Sequence, residues 1–207
     1  MIYLNKTIMK KTRLDAILLI LGCFILILSV SCSRNYTPKP RGYFRISFPP
    51  KSYKPLNLQV PYDFQIPVYC YAEPDSFDLD QPYWLTLQIP VNHAQIHISY
   101  IKLNRNLSTH IENSRSLAYK HIEKASSIEE QIYVNPVNKV YGTLYTIKGN
   151  AASPMQFYLT DSVNNFLRGA LYIKVVPNAD SLRPVIKFLS EDVIQLVEST
   201  KWKHINK

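Results

Sequence analysis

Phe166-Leu167-Arg168-Gly169-Ala170-Leu171-Tyr172-Ile173-Lys174-Val175-Val176, with the segment that follows it from Asp180-Ser181-Leu182-Arg183-Pro184-Val185 to Leu196, decides the fold. The first stretch is a long apolar run rich in aromatic and β-branched residues, and its second half predicts a central strand. In the second, Leu182, Val185, Leu189, Val193 and Leu196 recur at spacings of three and four, the period of a helix with one apolar face. Asp180 and Ser181 are ready N-caps, and Pro184 falls in the first turn, where its missing N–H costs nothing. Trp202 is expected to clamp the end of this helix to the core.

Working outward, residues 155–160 read as a second strand. Asp161-Ser162-Val163-Asn164-Asn165 joins it to the first as a turn-rich connection suited to an antiparallel hairpin. Residues 134–148 read as one further strand. Residues 107–125 read as a helix, with the capping-box spacing in Thr109-His110-Ile111-Glu112 and a narrow apolar stripe of Ile111, Ala118, Ile122 and Ala125. Before it, Ile96, Ile98 and Tyr100 alternate with polar residues on a strand, and residues 84–89 and 64–72 give two more. Strands, a helix, a strand meander and a closing helix make an α+β domain whose antiparallel or mixed sheet is flanked by helices. The element order is similar to the Mog1/PsbP-like sandwich at the level of fold alone. Five glycines and no internal repeat argue against a propeller or solenoid.

Upstream of this domain the composition changes twice. Lys6, Lys10, Lys11 and Arg13 precede an apolar run over residues 16–30, shorter than the ~20 residues a membrane-spanning helix needs. A basic start, a short apolar run and a small-residue exit describe a secretory signal over residues 1–31. The exit, Ser29-Val30-Ser31-Cys32-Ser33, puts a small residue directly before a cysteine, the arrangement cut and acylated in bacterial lipoproteins. Residues 32–61 then carry prolines at 38, 40, 49, 50, 55 and 61 among basic residues, which predicts an extended, partly polyproline tether. Tyr43, Phe44 and Phe48 interrupt it with an aromatic group too apolar to float free. The remaining residues, 62–207, form a single α+β domain.

Charge and cysteine usage narrow the class. The chain carries a net charge of +9, and its mature part stays basic. The positives are scattered without a run of like charge, and an exported domain does not meet nucleic acid, so a solvated surface is expected. Cys23 lies in the signal and Cys32 takes the lipid, which leaves Cys70 alone and no internal disulfide to form. Stability must therefore come from a packed core, with Cys70 a small buried side chain between aromatics.

Catalytic constellations are weak. His93 and His97 stand four apart on a predicted strand without a carboxylate at useful spacing, so no metal is expected. Ser153, Asp161 and a histidine make a triad only on paper, with neither a Gly-x-Ser-x-Gly elbow nor a glycine-rich oxyanion loop. Five glycines without a Walker or dinucleotide arrangement exclude a phosphate loop. The loop Lys148-Gly149-Asn150-Ala151-Ala152-Ser153-Pro154 leaves backbone amides uncovered, suiting either contact with a partner or a tight turn of small residues.

Tyr36-Thr37-Pro38-Lys39-Pro40-Arg41-Gly42-Tyr43-Phe44-Arg45-Ile46 after a lipid cysteine resembles the GldD gliding-motility lipoproteins of the Bacteroidetes. So do Gly149-Asn150-Ala151-Ala152-Ser153, Gln156-Phe157, Thr160-Asp161-Ser162, Arg168-Gly169-Ala170-Leu171-Tyr172, the Pro177–Val185 segment and Lys201-Trp202. The resemblance implies a non-catalytic envelope accessory or assembly factor of gliding motility and its associated type IX secretion, acting through protein contacts and without a cofactor. The expected partners are the membrane, through lipid on Cys32, and other gliding or secretion proteins of the envelope. Ser33 and Arg34 beside Cys32, with no acidic cluster, point to an outer-membrane anchor facing the periplasm. The residues expected to touch a partner are Tyr43 and Phe44, and the Asn150–Ser153 loop with Arg168. The alternative from another class is a periplasmic hydrolase or a lipoprotein that binds a small ligand or glycan.

Overall fold

The computed structural model describes Leu21 and residues 46–75, 81–176 and 178–203 of the 207-residue chain. Phe44–Lys207 form one compact unit and Met1–Tyr43 a separate one. In chain order the elements are β1 (Tyr53–Pro55), β2 (Tyr62–Asp63), β3 (Gln65–Pro67), β4 (Tyr71–Pro74), β5 (Leu85–Ile89), β6 (Ala94–Lys102), α1 (Leu107–Tyr119), β7 (Ala125–Asn135), β8 (Val140–Gly149), β9 (Met155–Thr160), β10 (Asn165–Ile173), α2 (Ala179–Ser199) and β11 (Lys201–Trp202). Among the described residues seven strands form one antiparallel sheet in the order β4-β5-β6-β10-β9-β8-β7. An α+β fold with an antiparallel sheet flanked by helices is therefore what forms.

β10 takes the middle position. It pairs with β6 from Asn165↔Lys102 to Ile173↔Ala94 and with β9 from Phe166↔Thr160 to Leu171↔Met155. Successive side chains on a strand face opposite ways. Leu167 and Leu171 accordingly face α2 with Leu159, Phe157 and Met155 of β9 and Ile96 and Ile98 of β6. Val185, Leu189, Val193 and Leu196 of α2 close that core. Each large apolar side chain buried this way contributes roughly 1.5–3 kcal/mol. Gly169 makes the packing possible, because a Cβ there would lie 2.1 Å from the Phe157 ring. The opposite face carries a smaller core of Tyr145, Ile147, Tyr158 and Phe166 under Ala118 of α1.

Several local expectations change. β10 ends at Ile173, and Lys174, Val175 and Val176 are exposed. Residues 64–72 do not form one strand: β2 pairs with β11, β3 with β1, and β4 with β5, the chain turning where Cys70 N donates to Pro67 O at 2.9 Å. The predicted strand over 134–148 is two strands, β7 and β8, paired from Asn135↔Val140 around a turn in which Asn135 Oδ1 accepts from Asn138 N. α1 begins at Leu107 with Asn106 as its N-cap, so Thr109 and Glu112 are inside the helix and form no capping box. It ends at Tyr119, and Ile122 is exposed because the chain must turn to enter β7. The cap of α2 is Asn178, whose Oδ1 accepts from Ser181 N at 3.2 Å, which places Pro184 inside the helix and past its first turn.

The segment before β2 joins the core of this unit. Phe48 stacks on Phe188 with ring centroids 4.4 Å apart, and Leu56 and Val60 are buried. Lys51 Nζ donates to Asp192 Oδ1 at 2.6 Å and to the Phe188 carbonyl at 2.6 Å. At the other end Trp202 packs against the core and donates Nε1–H to the Lys139 carbonyl at 2.9 Å.

Candidate functional site

On the face opposite α2 the sheet turns from apolar to polar as it passes from β9 to β5. Over β6 and β10 it carries an open groove of about 560 Å³, lined by Gln95, His97 and Ser99 of β6, Arg168 and Tyr172 of β10, Lys174 just beyond it, and Asp75 and Trp84 at one side. Antiparallel register assembles the floor, with Arg168 opposite Ser99 and Ala170 opposite His97.

Arg168 is half-buried, and it is the one charged residue of the strand Asn165–Ile173. Its guanidinium donates to Gln156 Oε1 at 2.7 Å. Among the described residues no carboxylate stands within ion-pair distance of it. Desolvation lowers its pKa, and the adjacent Tyr172 works the other way. Gln156 is only 2% exposed, and its Nε2 has no partner among the described residues. His97 is held at both nitrogens, Nδ1 to Thr86 Oγ1 at 3.0 Å and Nε2 to the Gln95 amide nitrogen at 2.6 Å. An amide N–H can only donate, so in the neutral ring Nε2 accepts and Nδ1–H donates to Thr86 Oγ1. Burial lowers the His97 pKa, and Lys174 and Arg168 add to that lowering against Asp75. His121, just after α1, is lowered by burial and then by Arg168.

The residues singled out in the sequence fall apart spatially. Asn150 is exposed and serves α2, accepting from Ala179 N at 2.8 Å while its own N–H donates to the Lys124 carbonyl. Ser153 is fully buried with Oγ toward the Met155 carbonyl, so its side chain is out of reach of a partner. Gly149 sits at φ +102, where a Cβ would meet Ser126 N at 2.6 Å, so a tight turn explains this loop's small residues. Arg168 lies opposite Tyr158, five residues along β9 from Ser153, which is roughly 16 Å at strand rise. The loop and Arg168 are therefore not one patch.

Ser153 and Asp161 flank β9 at opposite ends and make no triad. Asp161 instead organises the β9–β10 turn. Burial works to raise its carboxyl, but N–H donors from Asn165, Val163 and Asn164 outweigh that and hold it below the usual range. His93 is no strand residue. It sits at φ 48 after a 3₁₀ turn over Pro90–Asn92. Cys70 is buried and its thiol is pushed up to about 12, mainly by desolvation, so it is not a nucleophile at neutral pH. The signal run, Cys32, Tyr43 and Phe44 lie outside the described residues, and no helix among the described residues is long and apolar enough to cross a membrane.

Sequence reasoning passed over Gln156, Gln95, Tyr172 and His121 as parts of a site. One signal was available: Gln156 is an amide inside Met155–Thr160, a strand buried at every position.

The family described as "Gliding motility lipoprotein GldD" matches over residues 33–202. No curated protein sequence matches the chain significantly. Among solved structures, the solution structure of cyanobacterial PsbP (CyanoP) from Synechocystis sp. PCC 6803 is similar at a TM-score of 0.45 and 7% identity, covering 79% of this chain and 97% of that one.

Proposed function

The chain belongs to the GldD family of gliding motility lipoproteins, and from that membership we propose that it is a non-catalytic accessory or assembly factor of the gliding machinery and its associated type IX secretion, acting through protein contacts. The observation that carries this reading is the extent of the family match, which starts at the residue after Cys32 and runs through Trp202. The separation of Ser153 from Asp161 and the full engagement of the His97 ring agree with a role other than hydrolysis.

In this proposal Cys32 carries the lipid, and residues between it and the folded unit set how far that unit stands from the bilayer, on the outer membrane and toward the periplasm. Confinement to a membrane sheet raises the effective concentration of the domain for neighbours on the same sheet. Several acyl chains on one cysteine hold stably where one would not. Tyr43, Phe44 and the exposed Asn150 are the proposed protein contacts. Arg168 is set apart from them by its place in the groove.

Cross-linking of the native lipoprotein in gliding cells, followed by capture and mass spectrometry, tests the reading. Gliding or type IX components should be recovered with the wild-type chain and lost with Cys32→Ala, whose mature form should also lack fatty acid. Recovery of the same partners by an unacylated Cys32→Ala chain, or normal gliding in cells that carry only that variant, would overturn it.

A further inference from the structure

The groove over β6 and β10 holds a positive charge that no carboxylate among the described residues pairs. A guanidinium taken out of water is costly unless it is paired, and among the described residues Arg168 has two neutral acceptors, the Gln156 carboxamide oxygen at 2.7 Å and the Tyr172 hydroxyl. Those two acceptors are fewer than the five N–H donors a guanidinium presents, and neither carries a negative charge. Behind it, Gln156 Nε2 is a buried donor with no partner among the described residues, because the carboxamide has turned its oxygen toward the guanidinium. The cluster thus has more donors than acceptors, and what is missing is an acceptor, best an anionic one.

From this donor surplus we infer that the groove binds a small hydroxylated monocarboxylate, an acidic sugar in chemical class, with its carboxylate on Arg168. A carboxylate matches the planar fork of a guanidinium in two parallel hydrogen bonds. Of the described charged side chains that line the groove, Arg168 and Lys174 are positive and Asp75 negative, a balance that suits a single carboxylate better than a phosphate dianion. The rest of the floor, Gln95, Ser99 and Tyr172, offers amide and hydroxyl groups suited to sugar hydroxyls. A groove of about 560 Å³ has the dimensions of a small-molecule site. This inference does not depend on which envelope proteins the lipoprotein touches.

The test uses the full-length lipoprotein in detergent micelles, titrated with D-glucuronate, D-glucose and inorganic phosphate and read by calorimetry and thermal melting. Glucuronate should bind saturably and raise the melting temperature, with glucose weaker by about tenfold or more and phosphate unable to displace it. Arg168→Met should abolish the binding. A second variant guards against a folding defect: Gln156→Glu supplies an internal carboxylate to Arg168, so it should melt no lower than wild type and still lose glucuronate. The inference is overturned by the absence of saturable glucuronate binding, by equal binding of glucose, by displacement with phosphate, or by wild-type affinity in a folded Arg168→Met or Gln156→Glu protein.

Discussion

Among the described residues, the α2 side of the sheet holds the buried Asp192 and the groove side the half-buried Arg168, and the two charges are treated in opposite ways. Under α2, the Asp192 side chain has no exposure at all and receives three donors: Lys51 Nζ at 2.6 Å, Tyr53 OH at 3.0 Å and Tyr69 OH at 2.7 Å. Lys51 also sits 3.5 Å above the Phe188 ring. The carboxylate answers back on its neighbours. Tyr53 is pushed up to about 12, first by burial and then by Asp192, and Tyr69 is raised further by the same two causes. On the groove side, Arg168 meets an amide and a phenol and no carboxylate among the described residues. A charge saturated by its own chain is architecture: Asp192 ties residues 51–69 to the last helix. A charge left short of a counter-ion destabilises the fold that carries it, so its presence asks for another explanation.

The strongest way to break this contrast is to remove the saturated charge. Asp192→Ala leaves a buried ammonium and two hydroxyls without their acceptor, and should cost about 3–5 kcal/mol. In urea the midpoint should fall with the slope unchanged, and a loss under about 1 kcal/mol would mean the three donors find water as easily as they found the carboxylate. Next comes the residue beside Arg168 that faces the filled side. Gly169→Ala drives a methyl into the Phe157 ring and should cost about 1–3 kcal/mol, seen as a lowered melting temperature with Phe157→Leu as partial rescue. One position back, Arg168→Met should change stability by less than about 1 kcal/mol, in either direction, because it removes a charge that no described carboxylate pairs. A large destabilisation there would show Arg168 to be a structural residue like Asp192.

The smallest expected effect is in pH. His97 and His121 are both lowered from 6.5 chiefly by burial. As pH falls through 6.5 the unfolded chain takes up protons that the folded chain still refuses, so the unfolded state is favoured. Their contribution is thus complete above 6.5 and fades as pH falls toward the folded values. Melting temperature should decline between pH 7.5 and 5, and His97→Gln should flatten that decline; an unchanged slope would show that His97 is freely protonated in the folded protein.

The parts legible from the sequence share one property, an apolar pattern with nothing competing against it. β6, β9, β10 and the last helix are of this kind, and the period alone finds them. β7 was hidden because it is an edge strand with a single neighbour, and Ser126, Ser127, Glu129, Glu130 and Gln131 are exposed and carry no strand pattern. The break of residues 62–74 into three strands of three different sheets was equally hidden, since each piece is set by a distant partner. Capping signals misled by a turn: Thr109 and Glu112 have the right spacing, but Asn106 starts the helix first. Of the groove, Arg168 and His97 were each noticed singly. Only the β6–β10 register, across some seventy residues of chain, brings them to one floor.

The pairing of β11 with β2, Lys201 against Asp63 and Trp202 against Tyr62, has a consequence for the order of events in synthesis. Tyr62 is fully buried, and the strand that closes over its edge comes after every strand of the large sheet in chain order. A growing polypeptide stopped at residue 195 already holds every strand of the large sheet but not the clasp that joins its first third to its end. Domains fold as units, so this one does not lock until residues 201–202 have been made. Delay of that kind keeps the domain threadable until its closing strand has been delivered.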